Sequence, residues 1–167
     1  LPLNYWAWGD PKDWSVIREA PLKEIDRAIE LGRQYGIHVN LNFHRCPGYC
    51  INSRELEQAD LFTGTAAQRQ RAEEAVVLHW QAFARRYKGI PNRRVSFDLI
   101  NEPPKMRSYE GSLEERYVEI VTRLVAAIRE VDPGRLIVAD GINIGQSPVM
   151  GIAGLGIVQS TRGYLPK

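Results

Sequence analysis

Arg94-Val-Ser-Phe-Asp-Leu-Ile-Asn-Glu-Pro-Pro104 is the stretch that decides how this 167-residue chain folds. Phe97, Leu99 and Ile100 give it strand character, while Pro103-Pro104 cannot continue a hydrogen-bonded ladder and force a turn directly after Glu102. A buried strand ended in this way delivers Asn101 and Glu102 to a rim. In parallel α/β sheets and barrels, ligands and chemistry collect at the carboxyl ends of the strands, because the loops there vary without disturbing the packed strands. Taken alone, a strand-end Glu is as readily a turn cap or the partner of a nearby Arg. The surrounding pattern has to choose between these.

Working outward, the chain alternates strand and helix. Upstream, Ile37–His44 has Val39, Leu41 and Phe43 on one side and Asn40, Asn42 and His44 on the other, the period of a strand. Before it, Leu22, Ile25, Ala28 and Ile29 recur at helical spacing over 21–35, with Pro21 suited to the first turn and Gly36 to the stop. Leu1–Trp6 reads as the end of an earlier strand, followed by a loop over Trp8–Trp14. After a long loop, Arg45–Gly64, Thr65 is placed to cap a helix whose Val76, Trp80, Phe83 and Tyr87 share a face. Downstream of Glu102, Ser112-Leu-Glu-Glu115 has the form of a capping box, and Leu113, Tyr117, Ile120, Leu124, Ile128 and Val131 form the stripe of a third helix. Arg135–Asp140 is a further strand ending in a carboxylate. Pro148–Leu155 reads as a short helix, and Gly156–Ser160 as a last strand running into Thr161-Arg-Gly-Tyr164.

Such alternation predicts an α/β fold with about five parallel strands joined by right-handed crossovers. Polar residues at inward positions (Asn40, Asn42, Ser96, Asp98) favour a barrel over a doubly wound sheet, whose central strands are apolar on both faces. Five strands do not close an eight-stranded barrel, so residues 1–167 are expected to be a partial (β/α)8 catalytic domain. No glycine-rich phosphate loop follows any strand, and no Gly-x-Ser-x-Gly elbow is present, which argues against nucleotide binding and against an α/β-hydrolase.

A formal net charge of +2 without a basic block gives no reason to expect nucleic acid or an anionic membrane as partner, and no apolar run is long enough to span a bilayer. Cys46 and Cys50 are spaced Cys-x3-Cys beside a single His, a poor zinc set; the spacing leaves a local disulfide or two free thiols, and neither a metal nor a cofactor is expected.

Four segments together resemble glycoside hydrolase family 5, the cellulase-like retaining β-glycosidases. They are Leu1-Pro-Leu-Asn-Tyr-Trp6, Leu41-Asn-Phe-His-Arg45 with Pro47-Gly-Tyr49, Leu99-Ile-Asn-Glu-Pro103, and Leu136-Ile-Val-Ala-Asp-Gly141. The resemblance covers the second through sixth strands of that family's (β/α)8 barrel. It implies hydrolysis of β-1,4-glucan, endo-acting, with retention of configuration by two carboxylates, and for the full-length form a secreted or periplasmic location. It further implies that Glu102 is the acid/base, that Asn101 hydrogen-bonds the sugar 2-hydroxyl, and that His44 lies in the glycone subsite. The alternative for His44 is a strand-end histidine satisfied by loop backbone. The family's nucleophilic Glu belongs to a seventh strand, outside this sequence. Its sixth strand commonly ends in His-x-Tyr; here Arg162-Gly163-Tyr164 lacks the His, and Tyr164 is the candidate nucleophile contact. Trp6, Trp8 and Trp14 are candidates to stack on sugar, with packing against a helix as the equal alternative, whereas Trp80 belongs to the core. Two other outcomes stay open: a non-catalytic polysaccharide-binding relative, and a homo-oligomer that completes the barrel by edge pairing.

Overall fold

The computed structural model describes residues 1–105 and 113–163. Five parallel strands form one sheet: β1 Pro2–Asn4, β2 Val39–Arg45, β3 Val95–Asp98, β4 Ile137–Asp140 and β5 Val158–Ser160. Three long helices connect them: α1 Glu19–Tyr35, α2 Ala66–Tyr87 and α3 Leu113–Val131. Strand order in the sheet follows the sequence, β1-β2-β3-β4-β5, without reversal. A doubly wound sheet reverses direction at its switch point; a sheet that never reverses puts all its right-handed crossovers on one face and curls as a barrel wall does. The expectation of a partial barrel is met.

Local signals account for the helices. Gly36 ends α1 in the left-handed region at φ 69°, and Thr65 caps α2 through a full capping box with Gln68. Ser112, proposed to begin α3, lies outside the described residues. On the helical face, Trp80 stacks on Phe43 at 3.9 Å between ring centroids and lies 5.0 Å from Phe97, while its indole N–H donates to the Leu99 carbonyl. Phe83, Trp8 and Leu41 fill the space around them. A short 3-10 segment, Met150–Leu155, occupies the place of the expected fourth helix.

Register fixes what the other face shows. Asn40 pairs with Ser96 and Asn42 with Asp98 between β2 and β3; Asp98 pairs with Val138, and Asp140 with Ser160. With alternating side chains, Asn40, Asn42, His44, Ser96, Asp98 and Asp140 therefore share the face away from the helices, and Arg162, two residues beyond Ser160, extends it. A hydrogen-bonded chain crosses this face from His38 to Ser96 (2.8 Å), on to Asn40 (2.9 Å) and then Asp98 (3.2 Å).

Candidate active site

At the carboxyl ends of the strands the polar face opens into a cleft of about 320 Å³, bounded by Leu1, Pro2, Asn40, Asn42, His44, Asp98, Asn101, Glu102 and Arg162. Three residues singled out in the sequence, His44, Asn101 and Glu102, thus meet in one place although β2 and β3 are separated by a long helix. The cleft holds more charge than the Asn-Glu signature announces.

Glu102 sits in the left-handed region at φ 48°, a conformation that costs a non-glycine residue on the order of 1–2 kcal/mol. The surroundings hold it there. Its N–H donates to Asp140 Oδ2 at 3.0 Å, and its carbonyl accepts from the Tyr49 hydroxyl at 2.7 Å. The preceding N–H, of Asn101, donates to the Phe43 carbonyl; the Pro103 and Pro104 carbonyls accept from the N–H groups of Ile144 and Asn143. Asp140, with no exposed surface, also accepts from Arg162 Nη2 at 2.6 Å, and the same guanidinium nitrogen lies 3.4 Å from Asn101 Oδ1.

Asp98 lies deeper on the same face. Burial, and then the charge of Asp140, push its carboxyl up to about 7, against the downward pull of the Asn42 amide, the Arg162 charge and the Asn40 amide. Side-chain atoms at this end of the sheet, among them Asn42 Nδ2, Asp98 Oδ1, Asp140 Oδ1 and Asn101 Nδ2, are buried and have no hydrogen-bond partner among the described residues.

The long loop after β2 is tied down by a carboxylate that sequence reasoning missed. The Glu57 side chain, which has no exposed surface, pairs with Arg45 at 2.5 Å and accepts from the Tyr5 hydroxyl at 2.9 Å and the Gly48 N–H at 3.1 Å. Gly48, at φ 79°, and Pro47 make the turn Cys46–Tyr49, closed in both directions by backbone hydrogen bonds of 3.0 Å, and this turn presents Tyr49 to Glu102. Burial pushes the Tyr49 hydroxyl up, so it remains a donor. Cys46 and Cys50 are free thiols, both buried.

Two of the tryptophan expectations need correction. Trp8 is only 1% exposed: it packs on Phe43 and Phe83, and its indole N–H donates to His79 Nδ1 at 3.0 Å, so it offers no ring face to a sugar. Trp14 is likewise core, its N–H bonded to Tyr5. Trp6 is half-buried and one face of its indole is covered by the Arg45 guanidinium, 4.1 Å from the ring centroid; it does not line the cleft. Tyr164 lies outside the described residues. Among the described helices none is long and apolar enough to cross a membrane.

Residues 3–154 match the family model described as cellulase (glycosyl hydrolase family 5). Endoglucanase C of Acetivibrio thermocellus is 27% identical over 143 residues, 86% of this chain and 38% of its own length. A beta-xylosidase of Phanerodontia chrysosporium is 25% identical over 84% of this chain and 28% of its own length. A crystal structure described as a glycoside hydrolase superposes with a TM-score of 0.91 at 38% identity, covering 99% of this chain and 49% of the other. The chain therefore spans less than half the length of each of these relatives.

Proposed function

The chain belongs to glycosyl hydrolase family 5, and on that premise we propose that residues 1–167 form part of a catalytic barrel acting endo on β-1,4-glucan with retention of configuration. The observation that carries the proposal is the placement of Glu102 and Asn101 together at the end of β3, on the rim of a polar cleft shared with His44.

In this reading the Glu102 carboxyl gives its proton to the glycosidic oxygen as the bond to the anomeric carbon breaks, and as carboxylate it later takes a proton from the attacking water. Asn101 Nδ2, buried and without a partner among the described residues, donates to the sugar 2-hydroxyl, a contact that strengthens as the oxocarbenium-like state forms. His44, half-buried at the end of β2, hydrogen-bonds the same sugar. Retention needs a second carboxylate about 5–5.5 Å from the first to attack the anomeric carbon. The other acids of this end of the sheet have different work. Asp140 holds the Glu102 N–H and Arg162, and Asp98 is buried below the rim. The attacking group is assigned to the seventh strand of the family barrel. The relatives carry different names, an endoglucanase and a beta-xylosidase, so the glucan preference rests on the endoglucanase likeness.

Two measurements test this reading: cellotetraose binding by calorimetry, and reducing-sugar release from soluble β-1,4-glucan, each with parent, Asn101→Ala and Glu102→Gln proteins. Binding by the parent that weakens at least tenfold in Asn101→Ala, with any hydrolysis lost in Glu102→Gln, is the expected result. Parent binding unchanged in Asn101→Ala, or hydrolysis that survives Glu102→Gln, would overturn the assignment.

A further inference from the structure

We propose that Arg162 and Asp140 act as one positioning couple for the Asn101-Glu102 dipeptide, fixing the backbone of the acid/base and the orientation of the sugar-binding amide. The proposal rests on the reading of Asn101 and Glu102 just given and assigns roles to two residues that make the dipeptide competent without themselves reacting.

A single oxygen, Asp140 Oδ2, accepts from both Arg162 Nη2 (2.6 Å) and the Glu102 N–H (3.0 Å). Asp140 has no exposed surface and shares its face of the sheet with Asp98. A buried carboxylate keeps one fixed orientation when a guanidinium is held against one of its oxygens. Arg162 supplies that guanidinium, and by holding Oδ2 it sets which oxygen meets the left-handed backbone of Glu102. The Glu102 N–H has no helix or ladder partner, so Asp140 is what satisfies it. The second arm of the couple runs to Asn101. Arg162 Nη2 lies 3.4 Å from Oδ1, a long contact but one that selects the oxygen end of the amide, leaving Nδ2 as the end with no partner among the described residues.

The seat of Arg162 is itself built. Its backbone N–H donates to the Gly145 carbonyl at 2.7 Å, and a Cβ on Gly145, which has φ 72°, would stand 2.5 Å from Arg162 Cγ. The chain turn after β4 thus keeps a glycine where the stem of the arginine passes. The same turn donates the Asn143 and Ile144 N–H groups to the carbonyls of Pro104 and Pro103. One element seats the arginine and clamps the far side of the dipeptide.

The test uses the whole chain, 15N-labelled, with amide hydrogen exchange read residue by residue and cellotetraose affinity measured alongside. Arg162→Met is expected to speed exchange of the Glu102 N–H at least tenfold while the Phe97 and Leu99 amides, bonded to the Leu136 and Val138 carbonyls, stay within about twofold. Arg162→Lys is expected to bring Glu102 exchange back to within threefold of the parent. Cellotetraose affinity follows the same order, falling about tenfold in Met and less than threefold in Lys. Asp140→Leu/Arg162→Met removes both charges together, so that no lone carboxylate is left buried, and is expected to match Arg162→Met in Glu102 exchange. A Glu102 amide that exchanges at the parent rate in either Met-containing variant would overturn the proposal. So would a rise shared equally by the sheet amides, or a lysine variant no better than methionine. If the parent fails to bind cellotetraose, the glucan reading fails, and the exchange data still decide the role of the couple.

Discussion

Replacing Glu57 by Ala removes the centre of the loop that presents Tyr49. In the folded chain the Glu57 side chain has no exposed surface and that of Arg45 is 7% exposed; the carboxylate also accepts from the Tyr5 hydroxyl and the Gly48 N–H. Truncation leaves the Arg45 guanidinium buried without its carboxylate and two further donors without their acceptor. Breaking a buried pair from one side costs about 3–5 kcal/mol. At roughly 2–4 °C per kcal/mol for a domain of this size, the midpoint of thermal unfolding should fall by about 6–20 °C. Glu57→Gln keeps an acceptor oxygen for Tyr5 or Gly48 but loses the charge, and about 1–3 kcal/mol is expected. Glu30→Gln is the control: Glu30 and Arg33 form an exposed pair on α1, screened by solvent, and its loss should leave the unfolding midpoint where it is in the parent. Urea unfolding of the three variants, followed by tryptophan fluorescence, orders them directly. A Glu57→Ala protein within about 1 kcal/mol of the parent would show that the loop is held by other contacts and that the buried pair carries no net weight. The same experiment bears on the site, because Tyr49 reaches the Glu102 carbonyl only while this turn stays closed.

Three further outcomes follow from the same geometry. The Asp98 carboxyl is raised from 3.8 to about 7, so its contribution is fully present below the lower value and is lost as pH rises through the higher; Asp98→Asn should gain on the parent by up to about 4 kcal/mol between pH 4 and pH 8, checked by denaturant unfolding at both. His79 accepts from the Trp8 indole at Nδ1 and contacts the Trp14 carbonyl through Nε2 at 2.9 Å, which fixes a neutral ring; burial holds its pKa below 6.5, so parent stability should decline as pH falls below that value, and a His79→Gln protein should show a flatter profile from pH 6.5 to 5. Glu102→Gly relieves the positive φ and should raise stability by about 1 kcal/mol while removing any glycosidase activity, measured by unfolding and reducing-sugar release; a destabilised glycine variant would count against stored backbone strain.

The sequence made the fold legible wherever periodicity was strong. The α2 face of Val76, Trp80, Phe83 and Tyr87 is buried, and the alternation of β2 puts Asn40, Asn42 and His44 on the cleft side. The proline pair after Glu102 marked the rim. What periodicity could not show was partnership across distance. Asp140 was visible as a strand-end carboxylate and Arg162 as a departure from the family's histidine, but only the sheet register brings them together. Glu57 lies in a long loop with no period, and nothing in its neighbours separates it from exposed glutamates such as Glu55. The indoles failed for a related reason. Trp8 follows a strand end, which suits a sugar platform, yet a strand-end aromatic is equally free to turn back onto the helices, and His79 on α2 supplies the hydrogen bond that makes the inward position satisfactory.

The distribution of unsatisfied and strained groups separates the two ends of the sheet. At the amino end, Arg135 is nearly buried but fully engaged, donating to the Val95 and Tyr87 carbonyls and to Asp132. At the carboxyl end sit a glutamate in a left-handed conformation, a carboxyl displaced to about 7, and buried polar atoms of Asn42, Asp98, Asn101 and Asp140 without partners among the described residues. Each of these costs stability at pH 8. The aromatic stack of Trp80, Phe43 and Phe97 on the opposite face contributes the stability that offsets them: truncating Trp80 to Ala should cost about 3–5 kcal/mol. If the carboxyl-end groups were structural, neutralising them would cost as much. If they exist to handle a ligand, Asp98→Asn and Glu102→Gly should be neutral or stabilising at pH 8 while Trp80→Ala is strongly destabilising, and that opposition of sign is the physical mark of a site carried by the sheet rather than one that builds it.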